Sequence, residues 1–183
     1  QFITVTIEAA VKNGSIQSQQ YSDLPIRWTR KKSMLVLDHR ENPFHYILEA
    51  IRLTEQYAKG RGQLLSFYHL KVKSELDNST GRKYGLGSSG AVTVATVKAL
   101  NVFYDLEMDT LTQFKIAALA HLAVQGNGSC GDIAASCYGG WIAFSTFDSQ
   151  WVKEKQAQWS LSTLLETDWP MLSIQPLEKK KNL

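Results

Sequence analysis

Hydrophobic and polar positions alternate from the first residues onward, with Ile3, Val5 and Ile7 set against Thr4, Thr6 and Glu8. A period of two predicts a strand with one buried face. Asn13-Gly14 is a hairpin-turn signal, so 15–18 is predicted as the return strand. Short strands are predicted over Ile26–Thr29 and Met34–Leu37. The period then changes: Phe44, Ile47, Leu48, Ile51 and Ala58 form one apolar stripe at helical spacing. Asn42 suits the N-cap of that helix, Pro43 its first position and Gly60 its end. Leu70, Val72 and Leu76 predict a further strand. From Ala91 to Asn101 only Thr93, Thr96, Lys98 and Asn101 are polar, which predicts a helix buried on most sides. A third helix is predicted from an Asp109 N-cap through Phe114, Ala118, Leu119 and Leu122. A short helix over Ile133–Tyr138 follows, stopped by Gly139-Gly140, and then a strand over Trp141–Phe147. The tail carries a helix near Leu161–Thr167 and a strand around Leu172–Ile174. Strands, a helix, a strand, helices and a strand show no regular βαβ alternation, so the pattern predicts an α+β fold.

Two loops interrupt the pattern where chemistry is to be sought. Lys83-Tyr84-Gly85-Leu86-Gly87-Ser88-Ser89-Gly90 opens directly into the second helix. Glycines let a main chain approach an anion, and the first N–H groups of a helix have no internal partner. Together with the helix dipole they favour a phosphate. The loop is not a Walker loop, which ends in Gly-Lys-Ser/Thr. Gly85, Gly87 and Gly90 have the spacing of a dinucleotide fingerprint, but Asp105 lies past a helix instead of ending a second strand. The second loop runs Gly126-Asn127-Gly128-Ser129-Cys130-Gly131-Asp132. Either loop alone reads as a turn and a helix cap, with Asp132 as the capping residue.

Composition narrows the classes. A net charge of +3 with scattered basic residues gives no stripe for nucleic acid. Two cysteines, Cys130 and Cys137, make no disulfide framework and have no partner at zinc-ligand spacing, which predicts a reduced, cytoplasmic setting. No apolar run reaches the roughly 20 residues a spanning helix needs. Four histidines are scattered, and His45 and His121 read as surface or satisfied core positions on helices. Trp141, Trp151, Trp159 and Trp169 read as packing residues. The opening strand, without an initiator Met, carries the expectation that residues precede it.

Taken together, the segment 85–91 and the second loop Gly128-Ser129-Cys130-Gly131-Asp132 resemble the GHMP kinase superfamily. Within it, the Lys83–Ser89 segment and Ser129-Cys130-Gly131-Asp132 are most similar to the branch of bacterial phosphomevalonate kinases of the Gram-positive type. The resemblance implies an N-terminal GHMP-kinase domain, ribosomal protein S5 domain 2-like, with a mixed sheet and helices on one face. The family's opening Gly-Lys-Leu-Tyr strand and its glycine-rich third motif have no counterpart here. The expectation is therefore an N-terminal half: residues 1–150 an ATP-binding domain incomplete at its start, and 151–183 a connection into a truncated, ferredoxin-like C-terminal domain.

The resemblance also implies ATP and Mg2+ as cofactors and 5-phosphomevalonate as the small-molecule substrate. Gly85, Leu86, Gly87, Ser88, Ser89 and Gly90 would hold the phosphates, with Ser88 or Ser89 on the metal. Lys83 would add a charge, and Gly128, Ser129 and Gly131 would meet the substrate. Asp132 would act as a base, or would orient a lysine or the metal. Phosphorylation of mevalonate, another small-molecule kinase activity, and a non-catalytic ATP-binding fragment stay open beside this reading.

Overall fold

A computed structural model describes residues 3–19, 24–37, 44–74 and 88–178. The elements in order are β1 (Ile3–Ala10), β2 (Gly14–Ser18), β3 (Ile26–Lys31), β4 (Met34–Leu37), α1 (His45–Gly60), β5 (Phe67–Ser74), α2 (Ser88–Phe103) and α3 (Thr110–Gln125). They continue as α4 (Gly131–Tyr138), β6 (Ile142–Ser145), α5 (Ser149–Gln158), α6 (Leu161–Glu166) and β7 (Ser173–Pro176). The first five strands form one mixed sheet in the order β1-β5-β2-β3-β4, and β6 and β7 pair separately. The predicted α+β fold with a mixed sheet is the fold observed.

The Asn13-Gly14 hairpin does not form. β5 lies between β1 and β2, antiparallel to the first and parallel to the second. Residues 11–13 cross two strand spacings, about 10 Å, where a hairpin crosses one. Gly14 belongs to β2, opposite Trp28 of β3. A Cβ at Gly14 would fall on the Trp28 indole. The glycine serves close packing, not a turn. Trp28 is buried, 5.5 Å from the Phe67 ring and 4.9 Å from that of Tyr68.

Alternation decides which side of the sheet is buried. Ile16, Leu70 and Val72 face the core with Trp28, while Glu8, Lys71 and Arg27 point the other way into solvent. α1 and α2 pack against each other, α2 also against β1, and α3 against both helices. Every residue from Phe114 to Leu122 is buried, because α3 packs against α1, α2, α4 and α6. α2 behaves as its sequence predicts, with one addition: Thr93 and Thr96 are fully buried. Their hydroxyls donate to the Ser89 and Val92 carbonyls at 2.7 and 2.8 Å, so no polar group is left orphaned.

Helix ends carry most of the boundary differences. α1 begins at His45 with Phe44, which has no capping side chain, at the N-cap; Asn42 and Pro43 lie outside the described residues, as does Leu76. α3 has the predicted Asp109 cap, whose carboxylate accepts from Thr112 N at 2.7 Å. α5 has no predicted counterpart, because it buries only Val152 and shows no apolar stripe. Its start is nevertheless written as Asp148, which accepts from Trp151 N at 3.1 Å. Trp169 is buried, but Trp141 is 74% exposed and is not a packing residue. Among the described residues, no helix is long and apolar enough to cross a membrane.

A buried polar cluster joins the sheet to the helices. Arg30 on β3 donates twice to Glu55 on α1, at 2.9 and 2.6 Å, and once to the Ser66 carbonyl at 2.7 Å. The Tyr68 and Tyr104 hydroxyls also donate to Glu55, at 3.1 and 2.6 Å. Both Glu55 oxygens are engaged, so its charge is kept, while the Nε of Arg30 in the same cluster has no partner among the described residues.

Candidate active site

Both loops end at helix starts, and the two starts meet. α2 begins at Ser88 and α4 at Gly131. A Cβ at Gly90 would fall on the Asp132 Oδ2, 3.0 Å from its Cγ and 3.3 Å from Ile133 Cδ1. Only glycine at position 90 lets the Asp132 carboxylate lie against the first turn of α2. Residues 42 apart in sequence are thereby brought to one place, which neither loop alone could show.

Asp132 is not the cap of α4. That position belongs to Cys130, left-handed at φ 61° and without a capping hydrogen bond; Asp132 stands in the first turn. A carboxylate there is favoured by the helix dipole. It is exposed, and among the described residues no donor bonds to it. Its Oδ2 lies at the first turn of α2, where backbone N–H groups have no partner within the helix.

The second loop is fixed from both sides. Ser129 Oγ accepts from Gly131 N at 3.4 Å, and the Ser129 carbonyl accepts from Thr146 Oγ1 at 2.8 Å. Gly128 holds φ +139°, a conformation that glycine alone adopts readily. Lys98 on α2 donates to the Cys137 carbonyl at 3.0 Å and so pins the far end of α4 to the same helix. Thr146 and Lys98 have no sequence signal, because each acts through a carbonyl that any residue could offer.

Burial controls the titratable groups around Asp132. The Cys130 thiol is pushed up to about 12 by burial first and by the Asp132 charge second, which makes it inert as a nucleophile. His121 on α3 is buried and 5.4 Å from the Tyr46 ring, and its Nδ1 has no partner among the described residues. Burial holds its pKa below the ordinary value, although the Asp132 carboxylate pulls the other way. His121 is thus a core residue, but not a satisfied one. Its place seven residues after Phe114, on the same buried helix face, is the sequence signal for it.

Of the predicted site residues, the structure joins Gly90 to Asp132 and places Gly128, Ser129 and Gly131 beside them. Ser89 opens the same turn as Gly90 and is half-buried. Lys83, Gly85, Leu86 and Gly87 lie outside the described residues, as does the Ser88 side chain. Among the described residues, no group of three or more His, Cys, Asp or Glu side chains is placed to hold a metal.

Residues 45–140, just over half of the chain, match the family model described as the GHMP kinases N terminal domain. The chain belongs to the GHMP kinase family. It is 40% identical over 138 residues to a phosphomevalonate kinase of Streptomyces sp. (strain CL190), an alignment covering 75% of this chain and 37% of that protein. A solved protein from Listeria innocua superposes with a TM-score of 0.86 at 40% identity, over 98% of this chain and 49% of its own. The Streptococcus pneumoniae phosphomevalonate kinase in complex with phosphomevalonate and AMPPNP superposes with a TM-score of 0.77 at 29% identity, over 94% of this chain and 48% of its own. The chain therefore spans between about a third and a half of the length of these relatives.

Proposed function

We propose that this chain supplies the ATP-binding part of a kinase that converts 5-phosphomevalonate to its 5-diphosphate. The observation that carries the proposal is the Asp132 carboxylate held against Gly90 at the start of α2. A phosphomevalonate kinase as the relative at 40% identity, and a neighbour captured with phosphomevalonate and AMPPNP, support the choice of substrate.

In the proposed reaction a phosphate oxygen of 5-phosphomevalonate attacks the γ-phosphorus of ATP. The bond from that phosphorus to the β,γ-bridging oxygen breaks, and ADP leaves with the electron pair. The attacking phosphate is largely ionised at neutral pH, so it needs no strong base. The work left to the protein is positioning and charge neutralisation. The N–H groups at the start of α2, with the glycine loop 85–90, hold the ATP phosphates. Lys83 adds a mobile positive charge at the edge of that loop. Gly128, Ser129 and Gly131 receive the substrate phosphate.

An anionic Asp132 beside two anionic substrates is repulsive unless a cation stands between them. The oxygen donors present, the Asp132 carboxylate and the Ser88 or Ser89 hydroxyl, suit Mg2+, which takes few protein ligands and completes its shell with water and phosphate. When bound, Mg2+ neutralises charge on the β- and γ-phosphate oxygens. We assign Asp132 to orienting a cation, and not to removing a proton. The free, buried thiols of Cys130 and Cys137 fit a reducing cytoplasm.

A coupled assay offering phosphomevalonate and mevalonate separately tests the substrate. Turnover of phosphomevalonate is expected. Turnover of mevalonate alone, or ATP·Mg2+ binding with neither substrate consumed, overturns the proposal. Asp132→Asn is expected to lower kcat about a hundredfold or more. An unchanged kcat refutes the role given to Asp132.

A further inference from the structure

The sheet has a second face, turned away from α1 and α2, and it holds a basic cavity that the kinase reading does not use. The cavity has a volume of about 560 Å3 and is lined by Glu8, Lys12, Ser15, Arg27, His69 and Lys71, among others. That volume is in the range of small-molecule sites. The strand register explains how these side chains meet. Glu8 of β1 stands opposite His69 of β5, His69 opposite Ser15 of β2, and Ser15 opposite Arg27 of β3. One row of four side chains thus crosses four strands, and Lys71 follows two residues along β5 on the same face.

The charges are unbalanced. Lys12, Arg27 and Lys71 contribute three cations against the single carboxylate of Glu8. The ion pairs of the described residues, Arg30–Glu55 and Arg52–Glu49, involve none of them. Like charges gathered around one concavity repel each other and raise the local potential. The polar floor is organised as well: Ser15 Oγ and His69 Nδ1 are 2.8 Å apart in a hydrogen bond. That bond occupies Nδ1 and leaves the other ring nitrogen, Nε2, to a ligand. The Arg27 guanidinium presents a planar fork suited to two phosphate oxygens, and Lys12 and Lys71 add point charges.

We propose that this open-face cavity binds a compact phosphate-type polyanion, either inorganic diphosphate or the diphosphate group of a small metabolite. Charge complementarity and volume select that occupant. An apolar ligand would leave three cations desolvated, and a monoanion, added to the Glu8 carboxylate, would still leave one of the three uncompensated. The cavity and the Asp132 site lie on opposite sides of the sheet, so both can be filled together.

Calorimetric titration of the protein with inorganic diphosphate tests the proposal, with the Arg27→Gln/Lys71→Gln double variant beside the wild type. Both residues are exposed, so the variant is expected to keep the wild-type Tm and kcat. The expected result is binding at least about tenfold weaker in the variant, since each lost charge-assisted hydrogen bond amounts to about one decade. Wild-type binding is also expected to weaken with added salt. Asp132→Asn, which alters the other site, is expected to keep the sheet-face binding. Equal affinity in wild type and double variant, or binding lost only in Asp132→Asn, overturns the proposal. Saturable binding of a poly-glutamate peptide without binding of diphosphate also overturns it, in favour of an acidic protein partner. Titration with the diphosphate ester of an aliphatic alcohol separates the two sources: tighter binding than inorganic diphosphate identifies a metabolite, equal binding the free anion.

Discussion

Gly90 and Gly14 do the same work at different ends of the fold: each lets a neighbouring side chain lie where a methyl group would stand. At Gly90 the neighbour is the Asp132 carboxylate. Gly90→Ala is expected to displace that carboxylate while leaving α2 intact, because alanine is the better helix former. Misplacing a group by about 1 Å can cost about a hundredfold in rate. The expected outcome is therefore a large loss of kcat at nearly unchanged Tm, and equal losses of both would instead mark a packing defect. At Gly14 the neighbour is the Trp28 ring, buried among Phe67 and Tyr68. Gly14→Ala is expected to destabilise by about 1–3 kcal/mol, as overpacking does, measured by urea unfolding. A change below about 0.5 kcal/mol would show that the indole can move aside. The sequence displayed both glycines but misassigned one. Asn13-Gly14 has the form of a turn, and only the strand register, which depends on a strand more than 50 residues away, reveals it as a packing site. Asp132 stood out in the sequence only beside its partner loop, and the structure sets its carboxylate against Gly90; the capping place that the loop alone suggested for it belongs to the left-handed Cys130.

Elements with a clear period were legible, and so was the short α6 with its three leucines, while α5, which has no apolar stripe, was not. β1, α2 and α3 were evident because apolar spacing alone encodes which face is buried. The insertion of β5 between β1 and β2 was hidden, since periodicity says nothing about which strands are neighbours. α5 and α6 form a weakly apolar segment that Lys115 ties to the body. Lys115 is buried on α3, and its ammonium donates to the Leu165 and Thr167 carbonyls at 3.0 and 2.9 Å. These groups end α6, where carbonyls lack helical partners. Lys115→Met removes the donor and also relieves the cost of a buried ammonium, whose pKa burial pushes down. The two effects oppose each other, so global stability is a poor readout of the tether. Hydrogen exchange reads it directly: amides of α6 are expected to exchange about tenfold faster in the variant, because loss of one or two hydrogen bonds lowers the local opening energy. Unchanged exchange there would mean that packing of Leu161, Leu164 and Leu165 holds α6 without the lysine.

The whole molecule carries opposite liabilities at low and high pH, and both follow from groups buried in neutral form. On the acid side the group is His121, whose folded pKa lies below its ordinary value. As pH falls through about 6.5 the unfolded chain takes up a proton that the folded chain resists. The unfolded state then binds more protons, so stability falls with falling pH until the folded histidine also titrates. On the alkaline side the groups are Cys130 and Cys137, each pushed up to about 12 by burial. In the unfolded chain a thiol loses its proton near 9, while in the folded chain it keeps it. Above that pH the unfolded state binds fewer protons, and stability falls as pH rises toward 12. Tyr68, raised by its burial, steepens the same limb at its upper end. Urea midpoints from pH 5 to 11 are therefore expected to form a plateau between about 7 and 8.5 with a descent on each side. His121→Gln is expected to flatten the acid descent, and the Cys130→Ala/Cys137→Ala pair the alkaline one, each leaving the other limb in place. An acid descent that survives His121→Gln, or an alkaline descent that survives the cysteine pair and begins below the range of Tyr68, would assign the pH dependence to repulsion among surface charges, which added salt would then reduce.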